Sequence, residues 1–126
     1  MSFFDKLFRR KQIPEIPSMP SWNTIVEMLH DKHLDGFTDE VVDVIYSKDR
    51  SMRYVVLKDD NNIFTYKLEA IYQFDEDEWR FICSHDDNAL PAMWEPFRGV
   101  AGKSFFESIA ELRKELESEP EYKQYF

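Results

Sequence analysis

The chain has 126 residues, 43% of them hydrophobic, with 11 Phe, 6 Tyr and 3 Trp, and a formal net charge of −9. That length suits one compact domain with a short appendage, and the aromatic load argues against the disorder that high charge alone would suggest. Three glycines argue against a glycine-cradled nucleotide site, the single Cys83 excludes an intramolecular disulfide and fits a reducing compartment, and no apolar run approaches the roughly 20 residues of a spanning helix.

In chain order, residues 1–12 set Lys6, Arg9, Arg10 and Lys11 against Asp5, a net +3, while the remaining 114 residues set 12 basic against 24 acidic side chains, a net −12. Phe3, Phe4, Leu7 and Phe8 fall on one helical face with those four cations around it. Such a segment can lie reversibly in an anionic membrane interface, or pack on its own domain or on a partner. Its basic residues follow the aromatics, and no small-residue cleavage site comes after them, unlike a secretory signal. Pro14, Pro17 and Pro20 then mark an extended linker. The expected organisation is a tail and linker over 1–20 and one domain over 21–126.

Ser21 caps a predicted helix in which Trp22, Ile25, Val26 and Leu29 make one apolar stripe, ending near His33. The period then changes. Val42, Val44 and Tyr46 alternate, a turn follows at 48–51, and Met52, Tyr54 and Val56 alternate up to the Asp59-Asp60-Asn61-Asn62 turn. A longer β-rich run covers 63–74, the acids Asp75 to Glu78 read as another turn, and Trp79, Phe81 and Cys83 read as a last strand. Residues 85–102 read as a long connection holding Trp94 and Phe97. Ser104 and Glu107 form a capping-box pattern ahead of a helix with Phe105, Ile109, Leu112 and Leu116 as its stripe, stopped by Pro120. The expectation is an α+β fold: an antiparallel meander of about four strands flanked by N-terminal and C-terminal amphipathic helices packed on one face.

Reactive constellations are sparse. His30 and His33 lie three apart on the first helix, and Cys83, His85, Asp86 and Asp87 cluster further on. Neither group alone has the ligand spacing of a zinc site, and the plainer reading is a small buried Cys83 beside a polar turn, so no metal and no cofactor are expected. Residues 99–104 end in the Gly-Lys-Ser of a P-loop, but the leading Gly of that motif would fall where the chain has Phe97. Cys83 and His85 share a strand face in this reading without an orienting third group, and the paired acids sit in turns where carboxylates ionise normally. No catalytic residue is assigned.

Two features point to binding. The first is the acidic body with aromatics in its connections: Trp94 and Phe97 as apolar anchors with Met93 nearby, and Asp75, Asp77, Glu107, Glu111 and Glu115 to steer a cationic partner. The alternatives are a loop folded back over the sheet and a solvated acidic helix face. The second is the basic-aromatic tail. A −12 body repels phosphate, so no nucleic-acid partner is expected.

Size, acidity, the helix–meander–helix order and the lack of a catalytic constellation together resemble the small acidic immunity proteins that bacteria make beside secreted toxins. The resemblance covers residues 21–126. It implies a cytoplasmic, non-catalytic protein that binds and occludes a basic toxin domain, presenting carboxylates where the toxin expects phosphates. The competing expectations are a peripheral membrane adaptor anchored by residues 1–11, and a small-ligand-binding protein or enzyme with a pocket between sheet and helices using His30, His33 or His85.

Overall fold

The computed structural model of the chain describes residues 16–97 and 105–126. Helix α1 (Trp22–Leu29) leads through a short 3-10 turn at Leu34–Gly36 into β1 (Glu40–Tyr46), β2 (Met52–Lys58) and β3 (Phe64–Gln73). Helix α2 (Glu76–His85), β4 (Ala92–Pro96), α3 (Ile109–Glu117) and α4 (Pro120–Tyr125) follow. The four strands form one antiparallel sheet in the order β1-β2-β3-β4. The α+β class and the sheet flanked by amphipathic helices are as the sequence leads one to expect.

The polar turns act through their side chains. Asp49 Oδ1 accepts from the Ser51 amide (2.9 Å), Ser51 Oγ (2.7 Å) and Ser47 Oγ (2.9 Å), closing the β1–β2 hairpin. Asp59 Oδ1 does the same for the amides of Asn61 (2.8 Å) and Ile63 (3.0 Å) between β2 and β3. Short acids that bond the backbone a few residues on are natural turn formers.

The two flanking helices take one face each rather than sharing one. Residues opposite one another in the ladder share a face, and neighbours along a strand take opposite faces. Tyr54, Val56, Tyr66 and Leu68 pack with Phe106, Leu112 and Leu116 beneath the C-terminal helices. On the other side, Ile25 and Leu29 of α1 pack with Ala92 and Trp94. Strand β2 is buried on both faces from Met52 to Leu57, so a single cover would have left half of it in water.

Three local expectations change. Residues 76–85 are helical, because Asp75 and Glu78 close a capping box: the Asp75 side chain takes the Glu78 amide at 2.8 Å and Glu78 takes the Asp75 amide at 3.0 Å. Trp79 turns inward while Phe81 stands 66% exposed. The fourth strand comes instead from the region read as a connection. Helix α3 is capped by Ser108, whose Oγ accepts from the Glu111 amide, and not by Ser104, because Phe106 is held extended against Phe64 by paired backbone bonds of 2.8 and 2.9 Å. Phe106 therefore fills the core, and Phe105 is 65% exposed. Pro120 ends α3 and occupies the first turn of α4, where its missing amide costs nothing.

The end of the linker touches the body. The Trp79 indole donates to the Pro17 carbonyl at 2.7 Å, and Met19 packs against the α1 cluster. The tail residues Phe3, Phe4, Lys6, Leu7, Phe8, Arg9, Arg10 and Lys11 lie outside the described residues, as do the P-loop-like stretch 99–104 and Ser104 of the expected capping box. Among the described residues no helix is long and apolar enough to cross a membrane.

Candidate functional site

Among the described residues, accessible large apolar side chains occur together at the β4 margin of the sheet. The ladder sets Met93 opposite Tyr72 and Glu95 opposite Ala70, and the Phe97 amide continues it by donating to Leu68 O at 2.9 Å. By strand alternation Met93, Glu95 and Phe97 project to the face of Leu68 and Tyr54. The apolar cluster under α3 and α4 draws on β1, β2 and β3 but not on β4. Accordingly Tyr72 (37%), Met93 (40%) and Phe97 (44%) remain accessible. Helix α4 lies toward β1 and β2: the Phe126 and Tyr54 ring centroids are 4.8 Å apart, and the Lys48 amide donates to Tyr125 O at 2.9 Å.

Acids rim this patch. The Tyr72 hydroxyl donates to Glu78 Oε1 at 2.7 Å, and that same oxygen closes the α2 capping box. The phenol is pushed up to about 12, first by that hydrogen bond, then by desolvation and by the charges of Glu78, Asp75 and Glu95. These three carboxylates are thus close enough to Tyr72 for their fields to act on it. Asp77 is exposed on the first turn of α2, and Glu76 is bound to Arg80 at 2.7 Å.

The structure sorts the sequence-predicted residues. Phe97 is exposed at one end of β4, while Asp75 and Asp77 lie at the α2 N-terminus near the other end, by Tyr72. Trp94 is buried on the opposite face, where its indole donates to Leu29 O at 2.7 Å and its ring lies 4.1 Å from the Arg53 guanidinium carbon. It anchors α1, and its side chain is not presented at the surface. Glu111 and Glu115 lie one turn apart on α3, whereas Glu107 precedes that helix, so the expected three-residue stripe is interrupted. His30 and Tyr46 meet as tilted rings with centroids 4.5 Å apart, His33 enters the 3-10 turn, and the His85 ring lies tilted against Phe81 at 4.4 Å with Nδ1 bonded to Ser84 Oγ at 2.9 Å. Among the described residues no three His, Cys, Asp or Glu side chains converge as a metal site requires.

Sequence reading missed Tyr72 and gave Met93 only as a neighbour of Trp94 and Phe97. The signal was present in Met93-Trp94-Glu95, a two-residue alternation that the flanking prolines disguised as loop. A cleft of about 500 Å³ also lies between the linker and α2, lined in part by Pro17, Phe74, Glu76, Trp79 and Arg80. Within it Glu76 is bound to Arg80, and Trp79 to the Pro17 carbonyl. No protein-family model, no curated protein and no solved structure matches this chain.

Proposed function

We propose that this chain is a non-catalytic protein-binding module of the immunity type, which occludes a basic protein partner through the acid-rimmed patch of Tyr72, Met93 and Phe97. The observation that carries the reading is the Tyr72–Met93 pair, exposed on adjacent strands among Asp75, Glu78 and Glu95. Aromatic and Met side chains inside a charged rim are the composition of an interface centre: the apolar groups hold the complex and the charges guide it together. The net −12 of residues 13–126 favours a cationic partner over any other. The small-ligand reading draws on the cleft beside α2, where Glu76 is bound to Arg80 and the Trp79 indole to the Pro17 carbonyl. The membrane-adaptor reading rests on residues 1–11, outside the described part.

The test is affinity capture from native lysate with the full chain and with its Met93→Asp/Phe97→Asp variant. A basic protein retained by the parent, released by salt and lost from the variant supports the reading. Capture that ignores both the substitutions and the salt removes it.

A further inference from the structure

We propose that the chain's own basic-aromatic tail, residues 1–12, docks on the patch of Tyr72, Met93 and Phe97 and must be displaced before a basic partner binds there; this rests on the docking surface proposed above. The tail joins the body close to that patch. Met19 packs on the α1 side of the sheet, the Pro17 carbonyl takes the Trp79 indole at 2.7 Å, and Ile16 lines the cleft beside α2. Followed toward the N-terminus, the chain thus leaves the α1 side for the end of the sheet. The lining of the cleft includes Phe74, whose ring lies edge-on to Tyr72 with centroids 5.8 Å apart. Ile71 belongs to the α1 cluster, so Tyr72 beside it faces the other way, opposite Met93.

Reach is sufficient. The eight steps from Ile16 back to Phe8 span about 26–29 Å at full extension. From Met93 to Phe97 along β4 is about 13 Å, and from β3 to β4 is about 5 Å.

Charge and side-chain type select this occupant. Residues 1–12 carry a net +3 and residues 13–126 a net −12. Glu95 stands between Met93 and Phe97 on one strand face, and Glu78 holds the Tyr72 hydroxyl at 2.7 Å. Among the described residues no Lys or Arg is ion-paired with Asp75, Glu78 or Glu95. The tail brings both missing complements: Phe3, Phe4, Leu7 and Phe8 on one helical face for the exposed apolar side chains, and four cations around it for the carboxylates. The acidic body of a second copy would bring only like charge. A tethered segment also acts at an effective concentration in the millimolar range, so a contact of weak intrinsic affinity still fills the site. A partner's apparent affinity then falls by the fraction of patches left open.

The test places a nitroxide on Ser2→Cys in the full chain, with Cys83→Ala leaving one thiol, and reads the paramagnetic broadening of methionine methyl signals. Met93 should broaden, and Met28 on α1, across the sheet, should stay sharp. Arg9→Glu/Arg10→Glu should remove most of the Met93 broadening. If Cys83→Ala fails to fold, the contact is read without a label: Phe4→Ser/Phe8→Ser should shift the Met93 methyl signal and leave Met28 in place. That same tail variant should bind a captured basic partner about tenfold more tightly, the gain expected where the tail fills roughly nine patches in ten.

Equal broadening of Met28 and Met93, or of neither, overturns the docking, as does a Met93 signal indifferent to the tail substitutions. Broadening that persists undiminished when nitroxide and isotope sit on different chains assigns the tail to a second copy and overturns the intramolecular contact. Unchanged partner affinity in Phe4→Ser/Phe8→Ser overturns the displacement. Tail contact at Met93, with a basic protein captured equally by the parent and by Met93→Asp/Phe97→Asp, removes the partner surface and leaves the docking. A sharp Met93 signal, with capture lost from Met93→Asp/Phe97→Asp, does the reverse.

Discussion

Arg53 and Glu69 face each other across β2 and β3, with Nε 2.8 Å from Oε1 and the arginine wholly buried. The guanidinium does more than pair. Its Nη1 donates to Lys32 O at 3.0 Å, and the group lies over the Trp94 ring, whose own indole N–H donates to Leu29 O. The chain leaving α1 carries carbonyls with no intrahelical partner and the negative end of the helix dipole. A cation and an indole on the sheet take up those carbonyls, which fixes where α1 sits and keeps Trp94 from the surface.

Removing one member of this pair should therefore be costly. Arg53→Met or Glu69→Leu alone should lower stability by about 3–5 kcal/mol, because each strands a buried charge. The double replacement should recover much of that loss, since two packed apolar chains need no partner. Urea denaturation of the three variants checks this. Equal stability of the two single variants and the parent would show that the pair is not buried in solution.

The C-terminal cover makes a sharper contrast. Leu112→Ala and Leu116→Ala should each cost about 2–5 kcal/mol, as substitutions in a packed core do. Phe105→Ala, at an exposed position, should stay within about 0.5 kcal/mol. Thermal or denaturant melts decide between them. A large loss at Phe105 would restore the helix start at Ser104.

That contrast shows where the sequence is ambiguous. Strands β1, β2 and β3 were legible because alternation and Asp-rich turns agree over their whole length. Residues 75–83 satisfy two periods at once: Trp79, Phe81 and Cys83 alternate, while Trp79, Ile82 and Cys83 follow helical spacing. Only the Asp75–Glu78 capping box separates them. Ser104–Glu107 and Ser108–Glu111 are equally good capping patterns, and the choice is made by Phe106 pairing with Phe64, forty-two residues away in the chain. The patch was half legible. Phe97 and Asp75 stand out as residue types, but Tyr72 and Met93 meet only through the ladder. The Arg53–Glu69 pair left a trace as charges inside otherwise apolar runs.

The β1–β2 turn should give an acid-dependent term. Bonds from the Ser51 amide and hydroxyl, helped by Ser47, hold the Asp49 carboxyl below its ordinary value, with burial opposing. A carboxyl lowered in the folded state contributes stability above its unfolded pKa, and that contribution fades as pH falls through the folded one. Asp49→Asn should thus lose about 1 kcal/mol at neutral pH and differ less from the parent near pH 2. Melting curves across that range measure it; a constant difference at all pH values would count against the ionised turn.

At the alkaline end the relevant bond is Tyr72 to Glu78. The bond to Glu78 pushes the Tyr72 phenol up to about 12, so whatever it contributes is fully present below the ordinary 10 and is lost as pH rises from there through about 12. Glu78→Gln should bring the phenol back toward its ordinary 10. Ultraviolet titration, with Tyr72→Phe subtracted to isolate this ring, reports the shift. An unchanged midpoint in Glu78→Gln would mean the carboxylate does not rim the patch.

Binding kinetics should divide the patch by role. Exposed carboxylates act over about 8–10 Å at physiological ionic strength, so association with a basic partner should slow as salt rises. Reversing Asp75 and Glu95 to Lys should slow association at low salt more than it speeds dissociation, since rim charges act mainly through steering. Phe97→Ala and Met93→Ala should do the opposite, because apolar side chains are engaged only after the surfaces meet and are lost only when the complex opens. Trp94→Ala is different in kind. It removes a donor to Leu29 O and the surface beneath Arg53, so its effect should appear first as lost stability of the free protein. Stopped-flow rates on these variants, each checked for its melting temperature, separate the three groups. A partner whose rates ignore salt and the Asp75 and Glu95 reversals, yet fall with Trp94→Ala in a fully folded variant, would place the contact on the α1 side of the sheet instead.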